Sequence, residues 1–175
     1  MAGSAIGIRM GYGYPGNYAR TPDDITVGRL VKASTANIPF GACVALNSDN
    51  SVQLAGTGFT AAKFGGIAVR RIKTPTVFTA QNVGGEYTPG EVCDALTRGA
   101  VTVKCNVGTP TAGGAVYVRI AANASIANGV VGGFEAAADS DDSSKTVKLP
   151  NVKWTTGAMD ANRICEVTII ERVNP

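Results

Sequence analysis

Short runs of β-branched residues, each ended by glycine, proline or asparagine, constrain this chain more than any other feature of its sequence. The segment VTVKC (101–105) alternates, placing Val101, Val103 and Cys105 on one face. AVYVRI (115–120) repeats the pattern. With 22 glycines and 8 prolines among 175 residues, turns recur along the whole chain. These features predict an all-β domain, a small β-barrel or β-sandwich, and no segment predicts a helix.

Further strands are predicted wherever apolar runs lie between turn residues. The segments are ITVGRLVKA (25–33), CVALN (43–47), VQLAG (52–56), KFGGIAVRRIK (63–73), GGFEAAAD (132–139), KTVKLPNVKWTTG (145–157) and RICEVTIIERV (163–173). The segment GGEYTPGEVCDALTRG (84–99) is instead predicted to be a loop, because Pro89 and Gly90 supply a tight turn.

Residues 1–24 differ from the rest, with glycine, tyrosine and proline but neither a helical nor a strand period. They predict an extended N-terminal arm attached to a β domain over residues 25–175. Tyrosine and arginine are typical anchors of protein interfaces. The candidate partner-binding residues of the arm are Arg9, Tyr12, Tyr14, Tyr18 and Arg20, and the densest basic cluster adds Arg70 and Arg71 as a patch for an acidic partner.

Two glycine-rich stretches resemble nucleotide-binding loops but lack their context. GYGYPG (11–16) matches G-x-G-x-x-G, yet no amphipathic helix follows to receive a phosphate. Residues 108–114 resemble a P-loop without its lysine. No cofactor is therefore expected.

The sequence gives little support for a catalytic or a metal-binding site. The chain has no histidine, which removes Ser-His-Asp and Cys-His nucleophiles and the commonest zinc ligand. Asp139, Asp141 and Asp142 lack the spacing of a calcium-binding loop, so a solvated surface loop is expected there. The sequence predicts no catalytic and no metal-binding residue, and hence a protein that is not an enzyme.

Cysteine usage and charge limit the partners. Cys43, Cys93, Cys105 and Cys165 each lie in an apolar or alternating run, which favours buried thiols over a disulfide or a metal site. The net charge is +3 without a dense basic block, so no nucleic acid partner is expected. No apolar run could span a membrane and no secretory signal is present, so synthesis in a cytoplasm is expected.

Several motifs resemble the structural cement proteins of tailed phages, also called capsid decoration proteins. They are IPFGACVAL (38–46), GIAV (66–69), YTPGE (87–91), RGAVTV (98–103) and GGAVYV (113–118). The resemblance covers residues 25–120 and implies a β-barrel or β-sandwich head without catalytic residues. The arm has no counterpart in this pattern, so its role is inferred from its residues alone.

The resemblance implies a protein that binds the outside of the assembled major capsid protein shell and bridges capsomeres. Self-association is expected, with a homotrimer favoured over a dimer, and the expected location is the exterior of the virion capsid. The arm is expected to cross a neighbouring subunit and to order on binding. Two alternatives remain open: a carbohydrate-binding or host-attachment β module such as a head fibre base, and a tail-tube subunit.

Overall fold

The computed structural model describes residues 11–71 and 85–174, and almost all regular structure within them is β. The only helical elements in these ranges are two 3-10 turns, Ala61–Lys63 and Ser143–Lys145. None of the described helices is long and apolar enough to cross a membrane. The prediction of an all-β protein is confirmed.

The strands are β1 (Tyr18–Leu30), β2 (Ile38–Pro39), β3 (Cys43–Leu46), β4 (Val52–Leu54), β5 (Phe64–Ala68), β6 (Glu86–Tyr87), β7 (Val92–Val107), β8 (Ala115–Arg119), β9 (Phe134–Glu135), β10 (Thr146–Trp154) and β11 (Ile164–Ile169).

Five strands close into a small barrel. β7 pairs with β11, β11 with β10, β10 with β8, β8 with β9, and β9 returns to β7. The β7–β9 pairing is parallel and the other four are antiparallel. Closure leaves no free edge in this ring, which removes the unpaired backbone groups that would otherwise need protection.

The barrel interior follows the alternation that the sequence predicts. Val101, Val103 and Cys105 face the core from β7, and Val116 and Val118 face it from β8. The single tryptophan, Trp154, is 1% exposed and packs in the same core. Burying an aromatic side chain of this size stabilises the folded state by roughly 2–3 kcal/mol relative to leaving it exposed to water.

A second layer extends from the first half of β7. β5 pairs with β7, β3 with β5, and β4 with β3, while Val31 closes a second ring through a bridge to Val52. Successive residues of β3 enter different cores: Cys43 lies with the barrel core and Val44 with a smaller cluster that includes Tyr87. Both faces of this sheet are therefore covered.

The predicted loop over residues 84–99 is wrong. The segment contains β6 and the first half of β7, which runs for 16 residues. Apolar and polar residues do not alternate along VCDALTRG, because both faces of the strand are buried. Cys93 and Ala95 face the smaller cluster, and Leu96 faces the barrel core. A strand buried on both faces lacks the period of two on which the sequence analysis depended.

β1 begins at Tyr18, earlier than the first predicted strand, and runs antiparallel to β7. Its register jumps between Arg20 and Ile25, so residues 21–24 form a bulge over Gly99. Gly99 has φ +111°, and a Cβ there would lie 2.5 Å from the carbonyl oxygen of Asp23. The division into an arm over 1–24 and a domain over 25–175 stays a prediction, since residues 1–10 lie outside the described ranges.

A buried ionic cluster lies on the outer face of β8 and β9. Arg119 donates from Nη2 to Glu135 over 2.9 Å and from Nη1 to Asp139 over 2.7 Å, and all three side chains have no exposed surface. The hydrogen bond from Arg119 lowers the pKa of Asp139 below its ordinary range, aided by Asn123. The prediction of a solvated loop is therefore wrong at Asp139, whereas Asp141 is exposed.

All four cysteines are buried and free, as predicted. Burial raises the pKa of Cys43 well above its ordinary value. Cys105 on β7 differs, because a hydrogen bond with Cys165 on β11 and the nearby Arg163 hold its pKa below its ordinary value. These thiols contribute to the cores as small apolar side chains.

Candidate binding surface

The N-terminal segment that the sequence singles out lies on its own barrel over residues 11–20. The backbone N–H of Tyr12 donates to Asp160 Oδ2 over 3.2 Å, and that of Gly16 donates to the Thr102 carbonyl over 2.7 Å. Thr102 Oγ1 donates in turn to the carbonyl of Tyr14 over 2.7 Å. These contacts fix residues 12–16 against the outer face of β7 and the segment between β10 and β11.

Gly16 allows this close approach. Its φ is +84°, and a Cβ would lie 2.8 Å from the amide nitrogen of Arg70 and 2.9 Å from that of Gly41. Its carbonyl accepts the Arg70 N–H over 2.7 Å, joining the N-terminal segment to the end of β5. Only glycine fits a position with both a left-handed backbone and backbone neighbours this close.

Three side chains meet where this segment passes β5. The guanidinium carbon of Arg70 lies 4.7 Å from the centroid of the Tyr14 ring and 5.8 Å from that of Phe40. Phe40 packs edge-on against Tyr87 with ring centroids 5.2 Å apart. Tyr14 is 64% exposed, so the group faces solvent. We call Tyr14, Phe40 and Arg70 the stacked-arginine surface.

The structure separates the remaining candidate residues from this surface. The Tyr18 hydroxyl lies 2.9 Å from Thr26 Oγ1, and both belong to β1. Arg20 forms a salt bridge with Glu166 of β11, and this hydrogen bond raises the pKa of Arg20. Arg71 forms a salt bridge with Asp94 over 3.3 Å. Arg9 lies outside the described residues.

Sequence reasoning missed the residues that hold these candidates in place. Phe40 was included only as part of the motif IPFGACVAL, and Thr102 and Glu166 were not identified as contact residues. Thr102 is 4% exposed and Glu166 5% exposed, because residues 14–20 cover the outer face of the barrel there. The only available signal was polarity within otherwise apolar strands.

The features that would support nucleotide or metal binding are missing near this surface in the described residues. GYGYPG is followed by β1, so the helix N-terminus that a nucleotide phosphate requires is missing from this segment. A cleft of about 720 Å³ lies between Gly11–Tyr12 and residues 158–162. Its acid, Asp160, already accepts backbone N–H groups from Tyr12, Asn162 and Ile164. Over residues 11–71 and 85–174, no group of three His, Cys, Asp or Glu side chains is arranged to hold a metal.

Comparison with known proteins matches the chain to a protein family and to solved structures. The family model described as XM1 gp53 minor capsid protein matches residues 3–169. A chain from the solved capsid of Myoviridae phage XM1 has the same fold, with a TM-score of 0.69 and 15% sequence identity over 98% of this chain and 99% of that chain. No curated protein matches. The expectation of a phage capsid-associated protein is confirmed, since a family match over nearly the whole sequence places this chain in the XM1 gp53 minor capsid protein family.

Proposed function

We propose that this chain is a non-enzymatic structural cement protein. It binds the outside of the assembled major capsid protein shell and bridges capsomeres. Membership of a minor capsid protein family carries this proposal, because it sets the function within a phage capsid. The cement role itself extends from the sequence resemblance and from the exposed, anchored surface around Tyr14 and Arg70.

Rigid anchoring suits a protein that works by contact. The stacked-arginine surface is held by backbone hydrogen bonds to β5 and β7, so little conformational entropy remains to be lost when a partner binds. An exposed tyrosine beside an arginine supplies the residue types that dominate interface energetics. A surface of this kind binds another protein without needing a deep pocket.

Modest affinity at each site is sufficient for a cement protein. A shell repeats the same subunit contacts many times, and a protein that touches several subunits gains avidity from each added contact. Symmetric positions on such a shell favour closed oligomers, and a homotrimer over local threefold positions is proposed ahead of a dimer. The proposal includes synthesis in the host cytoplasm and addition to the capsid exterior.

The burial of the single tryptophan weakens the carbohydrate-binding alternative. Sugar-binding modules commonly present exposed aromatic platforms, and the one tryptophan of this chain is fully packed in the barrel core. Tail-tube assembly is kept as an outcome of the experiment, because a small barrel does not by itself distinguish a capsid subunit from a tube subunit.

The decisive experiment is cosedimentation of the purified protein with purified capsid shells that lack it. We expect saturable binding at a fixed ratio to the major capsid protein, and that ratio separates threefold from twofold occupancy. Electron microscopy of the decorated shells locates the bound protein. Failure to bind both immature and mature shells, or formation of tubes by the protein alone, contradicts the cement function.

A further inference from the structure

The stacked-arginine surface restricts one cation in an unusual way for an exposed side chain. Arg70 is exposed, yet its guanidinium lies against the rings of Tyr14 and Phe40. Its backbone N–H is bonded to Gly16, and Phe40 is itself held by Tyr87 and by a hydrogen bond from its N–H to Gly85. The guanidinium is thereby held near one position before any partner arrives.

Its charge also has no carboxylate partner among the residues that the structure describes. Arg71, Arg20 and Arg98 form salt bridges with Asp94, Glu166 and Asp23 respectively. Arg70 forms no salt bridge with any residue in the described ranges, although it follows β5 immediately before Arg71. Two adjacent arginines therefore differ: one is neutralised within the molecule, and the other presents its charge outward.

The geometry indicates what such an arginine recognises. The rings of Tyr14 and Phe40 contact the guanidinium, and no carboxylate of the described residues forms a salt bridge with its N–H groups, which present a planar fork of donors. A carboxylate matches that fork with two parallel hydrogen bonds. Building on the cement function proposed above, we infer that Arg70 is the receptor for an aspartate or glutamate carboxylate on the surface of the major capsid protein.

The test uses three variants of the full chain and purified shells that lack the protein. Arg70→Met removes the charge, Arg70→Lys keeps the charge without the fork, and Arg71→Met is the matched control. We expect Arg70→Met to weaken shell binding roughly 10- to 100-fold and Arg70→Lys to recover little of that loss. Arg71→Met is expected to change binding by less than about threefold, because its partner Asp94 lies in the same molecule.

A second arm modifies the partner. Shell carboxylates are converted to neutral amides with a carbodiimide and glycinamide, and electron microscopy checks that the shells remain intact. We expect the wild-type protein on amidated shells to bind as weakly as Arg70→Met on untreated shells. The Arg70→Met protein is expected to lose nothing further, since the contact it lacks is the one that amidation removes.

The results separate this inference from the function on which it depends. Equal binding by wild-type and Arg70→Met, or equal losses for Arg70→Met and Arg71→Met, overturns the inference and leaves the cement function standing. Failure of the wild-type protein to bind untreated shells overturns the cement function. Tyr14→Leu adds an independent check: it removes one ring and keeps the charge, and an affinity between those of wild-type and Arg70→Met supports the inference, whereas unchanged affinity contradicts the role of stacking.

Discussion

Thr102 and Glu166 lie directly opposite each other across β7 and β11, and both side chains point out of the barrel onto the N-terminal segment. Thr102 donates to the Tyr14 carbonyl, and Glu166 accepts from Arg20. The neighbouring residues Val101 and Val167 point into the core. One polar pair therefore fixes residues 14–20 as an outer cover of the barrel wall.

Removing the Glu166 carboxylate should loosen the start of β1. In Glu166→Ala, Arg20 loses its only salt bridge within the described ranges, and we expect several-fold faster hydrogen exchange at the backbone N–H groups of residues 18–20. Asp23→Asn is the control, because it removes an exposed salt bridge to Arg98 on the same strand pair. Equal exchange in the two variants would show that Glu166 does not hold the segment.

Gly16→Ala should be more destabilising than an ordinary glycine substitution. Alanine at φ +84° is strained, and its Cβ would also meet two backbone nitrogens closer than 3.0 Å. Gly58→Ala isolates the first effect, because Gly58 has φ +80° with nothing within 4 Å of the added Cβ. We expect urea unfolding to show that the free energy of unfolding falls by about 1 kcal/mol in Gly58→Ala and by about 2–3 kcal/mol in Gly16→Ala. Similar losses of unfolding free energy in the two variants would mean that the backbone around Gly16 shifts easily to accept the added Cβ.

Arg119→Met should be among the most destabilising single substitutions. It leaves the carboxylates of Glu135 and Asp139 buried without their cation, and breaking a buried ion pair from one side typically costs about 3–5 kcal/mol. Arg98→Met removes an exposed pair and should destabilise the protein much less. Chemical unfolding of both proteins at pH 7 gives the comparison, and a small loss for Arg119→Met would contradict the structural role of the cluster.

Stability should fall with acid in a way that depends on Asp139. The folded protein holds the pKa of Asp139 below the unfolded value of about 3.9, so its contribution is present above that pH. The contribution is lost as the pH falls from about 4 through the folded pKa. Asp139→Asn should therefore be less stable than wild type at pH 7, with the difference narrowing below pH 4. In an Arg119→Met background, Asp139→Asn should change the dependence of stability on pH much less, because the hydrogen bond from Arg119 is the largest cause of the lowered pKa of Asp139.

Deleting residues 2–10 tests the proposed arm without disturbing any contact described above. The sequence predicts that the arm over residues 1–24, to which this stretch and Arg9 belong, crosses a neighbouring subunit. We expect an unchanged unfolding midpoint together with weaker decoration of capsid shells. Full decoration by the shortened protein would restrict binding to the surfaces around residues 11–20 and Arg70.

The parts of the fold that the sequence predicted are those in which only one strand face meets an apolar core. Lys104 is exposed between the buried Val103 and Cys105, and the alternation of VTVKC was interpreted correctly. The first half of β7 escaped prediction because Ala95 and Leu96 serve two different cores. Burial on both faces removes the pattern that identifies a strand.

Residues brought together from distant positions could not be foreseen. Arg119 lies 16 residues from Glu135 and 20 from Asp139, and no fixed spacing signals a buried ion pair. Tyr14 and Arg70 were both chosen as binding residues, but their stacking depends on Gly16 meeting the end of β5. The residue types were readable from the sequence, whereas the tertiary contact was not.

The shared strand β7 has a mechanical consequence. Arg70 follows β5, β5 is paired with the first half of β7, and the second half of β7 forms the barrel wall against β11. A pull applied at the stacked-arginine surface would cross the pairing of β5 with β7 and then follow the continuous backbone of β7 into the barrel. Antiparallel hydrogen bonds loaded along the strand direction shear together instead of opening one at a time, so the pairings of β7 with β5 and with β11 would carry such a load in series.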